Sequence, residues 1–475
     1  MRLCEHDSNF CLYDNGTVKY HKVERKTGIK HDAVDNLWEW EFILKSHFGI
    51  SADELDEICI VFDPWRHGLG EHRPIYPAQI VDFIPNAKCR VWWINHHLAH
   101  ALSYNPFMEK EPDVSIVLDG FGDIDVSWSV FRNDKIVSQG TLPEHPSFGE
   151  SYLLIARCFN IQGNEFDLSG KLMGLQSYGN VDVSYYDSHR NKSLNEISNI
   201  KSWIAHHGND LVASGKILDW ARTSHDLIFE KIFELFQNYA NQNETISYSG
   251  GVALNVCWNT NLKQYYKNLN VLPHCDDSGL SIGAVEWLRK KNNLDKFQVE
   301  EFPYIETDES PKSTPSDKTI EVVANLLAEG KIVGWYQGNG EIGPRALGNR
   351  SILMNPDIQN GKLYINEKVK HRETYRPFGA TILKEHKNKY FYNKFDNPHM
   401  LFLDNFTVNE GLESIRHIDN TCRIQTLGDE NPNYRRLIEK FYEITGVPML
   451  LNTSLNRGGK PICGSIRDAF GVYYE

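Results

Sequence analysis

Three imidazoles fall within five residues, His96, His97 and His100, directly after the apolar run Val91-Trp92-Trp93-Ile94-Asn95. If a helix begins there, His96 and His100 lie one turn apart on one face, close enough to share a metal ion. Alone, such a pair fits a capped helix with surface or core histidines equally well. A second run, Val114 to Leu118, ends in Asp119-Gly120. A carboxylate at the carboxyl edge of a parallel sheet faces a ligand crevice, and the plain alternative is a turn-forming Asp-Gly. A third candidate is Asp276-Asp277, before Ser278-Gly279 and the small-residue run Ser281-Ile282-Gly283-Ala284, where the plain alternative is an N-cap. Two imidazoles with carboxylates suit iron, zinc or manganese, with positions left open for a substrate phosphate.

The string Ser247-Tyr248-Ser249-Gly250-Gly251-Val252-Ala253-Leu254-Asn255 places a glycine pair between a strand and a helix. Backbone N–H groups can approach an anionic or nucleotide ligand there with no Cβ in the way. Further on, Gly340 to Ser351 contains Arg345 and Arg350, and Lys370, Arg372 and Arg376 follow before Pro377-Phe378. Guanidinium forks match phosphate and carboxylate oxygens, so an anion pocket is the physical reading and a structural ion-pair network its competitor. His417 to Gln425, with Arg423, and Leu451-Asn452-Thr453-Ser454-Leu455-Asn456 supply further polar groups next to strands. Each of these strings alone could be turn chemistry.

These groups need a scaffold, and short β-branched or aromatic runs predict buried strands over Ile58–Phe62, Val91–Ile94, Val114–Leu118 and Ile332–Gln337. Helical periodicity covers Leu153–Cys158, Ser224–Tyr239, Ile320–Ala328 and Tyr434–Thr445, so the class is mixed α/β with parallel sheets. The 475 residues exceed one ordinary core, which predicts two domains, one of them open to internal duplication. Glu300 to Lys318 is charged and proline-rich like an exposed linker, which divides the chain into 1–300, a linker over 301–317, and 318–475. Apolar residues at 41% and aromatics at 12% argue for folded cores rather than disorder. A net charge of −13 disfavours non-specific attraction to nucleic acid or anionic membrane by the molecule as a whole. Nine cysteines without a C-x-x-C pair suggest reduced thiols and no structural zinc. The polar N-terminus and the lack of a long apolar stretch point to a soluble, cytoplasmic protein.

The order and wording of the strings resemble the NodU/CmcH carbamoyltransferase family over about His6 to Asp468. Gly-Pro-Arg-Ala-Leu-Gly-Asn-Arg-Ser and Asn-Thr-Ser are the most specific. Further landmarks are His6-Asp7-Ser8, Glu24-Arg25-Lys26 with Lys30-His31, and Gly170 to Leu175 with Tyr178-Gly179. The resemblance implies an N-terminal actin-like ATPase domain (ASKHA, similar to TsaD) and a C-terminal YrdC-like domain. Carried over, His96, His100, Asp119 and Asp277 would hold a metal, with Fe²⁺ the first expectation and Mg²⁺ accompanying ATP. Gly250, Gly251 and Asn255 would hold the adenine nucleotide. Arg345, Lys370, Arg376, Arg423 and Ser454 would hold carbamoyl phosphate and ATP. The same strings add Lys171, Val252, Arg350, Arg372, Asn452 and Asn456 to the binding set. Asp167-Leu168-Ser169, before Gly170-Lys171, departs from the family's usual acidic position near the glycine, and the C-terminal tail that many relatives carry past the position of Asp468-Ala469 is expected to be missing or very short.

The implied chemistry is formation of a carbamoyl-adenylate from carbamoyl phosphate and ATP, then transfer of the carbamoyl group to an acceptor hydroxyl with release of AMP. His6, an imidazole in a matching motif, is the candidate general base beside Arg345 and Lys370 as catalytic cations. The acceptor expected first is a small-molecule hydroxyl. The alternative is a hydroxymethyl pyrimidine in phage DNA, for which the basic and aromatic strip Lys384 to Lys394 would be the strand-binding surface. A non-catalytic nucleotide-binding scaffold and a threonylcarbamoyl-type tRNA modifier are the readings from other classes, and self-association into a homodimer stays open.

Overall fold

A computed structural model describes the chain except residues 4–5, 35, 63–74, 124, 209–215, 298–300, 312 and 475. The chain forms two compact units, Met1–Asn9 with Ala33–Lys296, and Phe10–Asp32 with Phe297–Glu475. Both are mixed α/β. No helix among the described residues is long and apolar enough to cross a membrane.

Strands β1 (Arg2–Leu3), β2 (Asn9–Asp14), β3 (Thr17–Lys22), β4 (Glu57–Phe62), β5 (Ala78–Val81) and β6 (Arg90–Ile94) come first. In the first unit β1 pairs antiparallel with β2 at Asn9 and parallel with β4, β4 runs parallel to β6, and β5 closes the edge antiparallel. A second sheet holds β7 (Val114–Leu118), β8 (Val126–Arg132), β9 (Lys135–Thr141), β10 (Ile246–Ser249) and β11 (Leu269–Asn270), in the order β11-β10-β7-β8-β9. Here β7 again lies between an antiparallel β8 and a parallel β10, and β10 runs parallel to β11. The arrangement around β1 is thus repeated around β7, an internal duplication of one strand pattern. Helix His96–Leu102 bridges the two. Its Ala99 packs with Cys59, Val61 and Ile94, while Leu98, Ala101 and Leu102 pack with Val117 and Phe131. Helix Leu280–Lys291 crosses it closely, since a Cβ on Gly283 would lie 1.8 Å from the carbonyl oxygen of Ala99. The small-residue run therefore sets how near Asp277 comes to the histidines.

The second unit holds β12 (Val333–Tyr336), β13 (Arg350–Met354), β14 (Gly379–Leu383), β15 (Leu403–Asn405), β16 (Thr421–Leu427) and β17 (Met449–Ser454), ordered β12-β13-β17-β14-β16-β15. Side chains alternate across this sheet. Leu353, Leu383 and Leu450 join helices Asp317–Ala328 and Pro432–Thr445 on one face, and Met354, Ile382 and Leu451 build the core on the other. Residues 10–32 belong to this unit, so its first segment lies well ahead of the expected division near 300. The expected exposed linker is partly interior. Tyr304 is buried and donates to the carbonyl of Leu347 at 2.9 Å. Glu306, 1% exposed, binds His21 at 3.0 Å, and Asp308 pairs with Arg350 at 2.6 Å. Of the charges in this stretch, Glu306 and Asp308 are interior with buried partners, while Glu301, Glu309 and Asp317 are exposed.

Replacing a helix-interior glycine by alanine ordinarily stabilises a helix by up to about 1 kcal/mol. Gly283→Ala is expected to do the opposite, because its methyl group must push two crossing helices apart, an overpacking that costs about 1–3 kcal/mol. The midpoint of chemical denaturation checks the sign. A stabilised variant would show that the Ala99–Gly283 crossing carries no constraint.

Candidate functional site

His96 opens its helix because the Asn95 side chain accepts from the Leu98 N–H at 2.9 Å and caps it, while Asp123 accepts from the His96 N–H at 2.8 Å. His96 and His100 then present Nε2 atoms to the same place. His96 Nε2 lies 3.2 Å from Asp119 Oδ2 and 3.5 Å from Asp277 Oδ1, and His100 Nε2 lies 3.1 and 3.3 Å from the same two atoms. All four residues are buried, and His100 is fully so. Each imidazole has one Nε2 position but faces two carboxylates at nearly equal distance, so hydrogen bonds alone satisfy only part of the set. A cation among them satisfies all of it. Metal–ligand bonds of about 2.0–2.1 Å in tetrahedral geometry give donor–donor edges of about 3.3 Å, the length of the edges observed. The donor set fits a divalent ion.

The surroundings sort the other candidates. Arg2, which no motif announces, pairs with Asp277 at 3.0 Å in the interior, and the Asn9 side-chain amide donates to the Asp277 carbonyl at 2.9 Å. His6 Nε2 stands 3.9 Å from Asp277 Oδ2, its Nδ1 is 2.9 Å from Asp7, and its ring lies 4.3 Å from that of Phe166. His97 turns away to Ser129 at 2.7 Å, and Asp276 caps the turn at Ser278, its plain reading. Gly250 takes a φ of 91°, and a Cβ there would sit 2.1 Å from the Leu118 carbonyl. That conformation lets the Gly251 N–H donate to Asp119 Oδ1 at 3.1 Å and leaves Val252 buried behind the turn. Asn255 caps helix Val256–Tyr265 with its oxygen, and its buried Nδ2 has no partner among the described residues. The Lys171 ammonium donates to the carbonyl of Gln162.

In the second unit, Lys370 is buried and its ammonium meets neutral oxygens: the carbonyls of Ser454 and Asn456 at 2.7 and 2.8 Å, the Ser454 hydroxyl at 3.3 Å, and the Asn456 amide oxygen. Burial, then Arg372 and Arg376, hold this ammonium well below the ordinary lysine value. Burial, then Arg345, Arg372 and Arg376, likewise lower the Arg423 guanidinium, and burial with Arg376 brings Arg372 down to about 9. Mutual repulsion in a desolvated pocket is what an anion relieves. Glu341, an acid inside the cationic string, is fully buried. One of its carboxylate oxygens accepts from the N–H groups of Leu347, Asn349 and Arg350 at 2.8, 2.8 and 3.0 Å, shaping the loop that carries Arg345.

Two expected ligand-binding residues are used otherwise. Arg350 is fully buried, and its guanidinium serves Asp308 and the carbonyls of Gln337, Gly338, Asn349 and Glu309, which leaves it no donor for a substrate. Asn452 lies within β17 and donates to the Ala346 carbonyl and the Thr381 hydroxyl, supporting the loop from behind. The basic strip is also partly internal. Lys387 is buried, bound to the carbonyls of Asn393 and Phe395 and near Asp404, and Lys384 pairs with Asp396 at 2.6 Å.

Protonation of the histidines predicts an optimum of stability for the metal-free protein near pH 6.5. Burial disfavours charge on His96, but Asp277 and the bond to Asp119 outweigh it and raise its pKa from 6.5 to about 10. Its contribution is complete below pH 6.5 and is lost as pH rises towards 10. Burial pushes His97 and His225 down to about 3 and His274 to about 4. Below pH 6.5 the unfolded chain takes up protons that these three refuse, so stability falls again towards pH 4. Each proton is worth about 1.4 kcal/mol per pH unit. Urea midpoints at pH 5, 6.5 and 8.5 in chelator check the two arms, and a midpoint still rising above pH 6.5 contradicts the alkaline one. Added divalent ion displaces the His96 proton, so its binding should release protons and strengthen with pH.

Residues 75–285 match the family model of the carbamoyltransferase N-terminus, and residues 324–475 that of the carbamoyltransferase C-terminus. The nodulation protein NolNO of Sinorhizobium fredii is 28% identical over 81% of this chain and 62% of its own length. The 3'-hydroxymethylcephem-O-carbamoyltransferase of Amycolatopsis lactamdurans is 29% identical, covering 78% of this chain and 75% of the relative. An uncharacterized protein of Methanocaldococcus jannaschii reaches 31% over 80% of this chain and 79% of its own. Among solved structures, the activator of the 2-hydroxyisocaproyl-CoA dehydratase from Clostridium difficile with bound ADPNP gives a TM-score of 0.39 at 12% identity, over 63% of this chain and 98% of that one. Full-length HypF in its phosphate- and nucleotide-bound form gives 0.24 at 20% identity, over 34% of this chain and 20% of that one. Because both family models match in order, with the histidine–aspartate nest inside the first and the cation cluster inside the second, the chain belongs to the carbamoyltransferase family.

Proposed function

We propose that the protein is an O-carbamoyltransferase that forms a carbamoyl-adenylate in a YrdC-like domain and delivers its carbamoyl group to a hydroxyl in an actin-like, TsaD-like domain. The observation that carries this reading is the cluster of Arg345, Lys370, Arg372, Arg376 and Arg423, where cations are gathered against their own repulsion and neutral oxygens surround the most buried of them. Such a pocket is suited to two phosphorylated co-substrates, carbamoyl phosphate and ATP. One water hydrolyses carbamoyl phosphate, breaking its P–O bond to release phosphate and carbamate. A carbamate oxygen then attacks the α-phosphorus of ATP, the new P–O bond forms as the bond to the β-phosphate bridging oxygen breaks, and pyrophosphate leaves. Arg345 and Lys370 stabilise the charge that develops, and Arg372, Arg376, Arg423, Ser454 and Asn456 hold the co-substrates away from water.

In the transfer step the acceptor hydroxyl attacks the carbamoyl carbon and AMP departs. His6 takes the hydroxyl proton. Asp7 binds its Nδ1, which leaves the Nε2 lone pair on the side of Asp277. Gly250, Gly251, Val252, Asn255 and Lys171 hold the adenine nucleotide. His96, His100, Asp119 and Asp277 would hold a divalent ion, proposed as Fe²⁺ with Mg²⁺ accompanying ATP, and such an ion would supply Lewis-acid chemistry towards the adenylate phosphate. The acceptor class is a small-molecule hydroxyl, because Lys384 and Lys387 of the basic strip are engaged within their own unit.

Pyrophosphate release from carbamoyl phosphate and ATP, and mass gain of one carbamoyl unit on a panel of sugars, aminoglycosides and hydroxymethylated DNA, test the two steps. Arg345→Ala should lower pyrophosphate release more than about 100-fold, the scale of losing a transition-state charge partner. His100→Ala should abolish transfer and retain pyrophosphate release. The reverse pattern would exchange the two sites, and a wild-type chain that releases no pyrophosphate would overturn the reading.

A further inference from the structure

A second group of metal-capable side chains lies in the first unit, outside the nest. Asp182, His206 and His207 each offer one donor atom, and these lie within 4.8 Å of one another. Asp182 caps helix Val183–His189. One carboxylate oxygen, Oδ1, accepts from the Tyr185 N–H at 2.9 Å and the Ser184 hydroxyl at 3.0 Å. The other, Oδ2, faces His207 Nε2 at 3.1 Å. His206 and His207 end helix Ile200–His207, and their ring centroids are 4.5 Å apart.

Two features point from this cluster to an ion. His207 Nε2 is buried and within ion-pair distance of Oδ2, yet it makes no hydrogen bond among the described residues. The nitrogen and the oxygen are thus close without being aligned on each other, as ligands of a common third atom are. His207 is also backed by an aromatic base. It lies 4.4 Å from the ring of Trp203, which meets Tyr185 edge-on at 4.7 Å, and both platform residues are buried. His206 is exposed, with its Nε2 2.8 Å from the Ser184 hydroxyl, which leaves its Nδ1 as the second nitrogen. An imidazole pre-positioned on an aromatic base costs little ordering entropy on binding.

We infer that Asp182, His206 and His207 form a second divalent-cation site, of borderline N₂O character suited to zinc, that clips the start of helix Val183–His189 to the end of helix Ile200–His207. One carboxylate and two imidazoles leave a fourth position for water. Because the cap uses Oδ1 and the ion would use Oδ2, the helix start is formed with or without metal. Binding then constrains the chain between 182 and 207 and stabilises the folded state by linkage.

Cobalt(II) titration of the full chain carrying His100→Ala, which disables the nest, tests the site by visible ligand-field absorption. One equivalent should bind with an intense band of low-coordinate Co²⁺, and zinc should displace it and raise the Tm. Adding His207→Ala should remove the band. Adding Asp182→Asn, which retains an oxygen for the cap, should weaken Co²⁺ binding at least about 10-fold, the usual scale for a disturbed metal site, while the metal-free Tm stays put. Absence of the band from the His100→Ala chain, or a band and a zinc-dependent Tm rise indifferent to Asp182→Asn and His207→Ala, would overturn the inference.

Discussion

Two buried carboxylates, Asp119 and Asp277, face the same two imidazoles at 3.1–3.5 Å. Negative charges so close in a dry interior persist only with positive charge among or beside them. The chain supplies part of it through Arg2 at 3.0 Å from Asp277, and the donor geometry leaves the centre to a cation. Much of the first unit follows from this demand. Strand β7 delivers Asp119 at its carboxyl end, the Asn95 cap starts the histidine helix at the right residue, and Gly283 lets the helix after Asp277 approach the Ala99 carbonyl.

The second unit answers the opposite demand. Its acids are withdrawn into the framework, where Glu341 gathers backbone N–H groups, Glu306 binds His21 and Asp308 neutralises Arg350. What is left around Lys370 is an excess of cations, and burial, then neighbouring guanidinium groups, lowers the affinity of Lys370, Arg372 and Arg423 for a proton. Charges of one sign are used differently within a few residues: Arg350 is neutralised by Asp308, while Arg345 adds to the repulsion on Arg423.

Local signals were read directly from the chain. The strand over Val114–Leu118 has the predicted limits, the i,i+4 histidines share a helix face, and the glycine pair after β10 makes a turn with a positive φ at Gly250. Two helices begin earlier than expected, at Ile217 instead of Ser224 and Pro432 instead of Tyr434: Ile217, Trp220 and Ala221 extend the apolar stripe upstream, and Asn431 caps a helix with proline at its first position. Asn452, which follows the apolar run ending at Leu451, is inside β17, since the ladder continues through polar residues where β13 and β14 flank it.

Residue types and short spacings by themselves determined the α/β class, the pairing of His96 with His100 and the concentration of cations beyond residue 340, because each depends on neighbours within a few residues. Tertiary structure alone decided that Arg2 backs Asp277 across 275 positions, that residues 10–32 fold with the C-terminal unit, and that Arg350 is neutralised by Asp308, 42 positions away. The physical reason is that pairing partners of a buried charge are chosen by where the backbone places them. A sequence string displays the charge but not its desolvation or the carboxylate that reaches it.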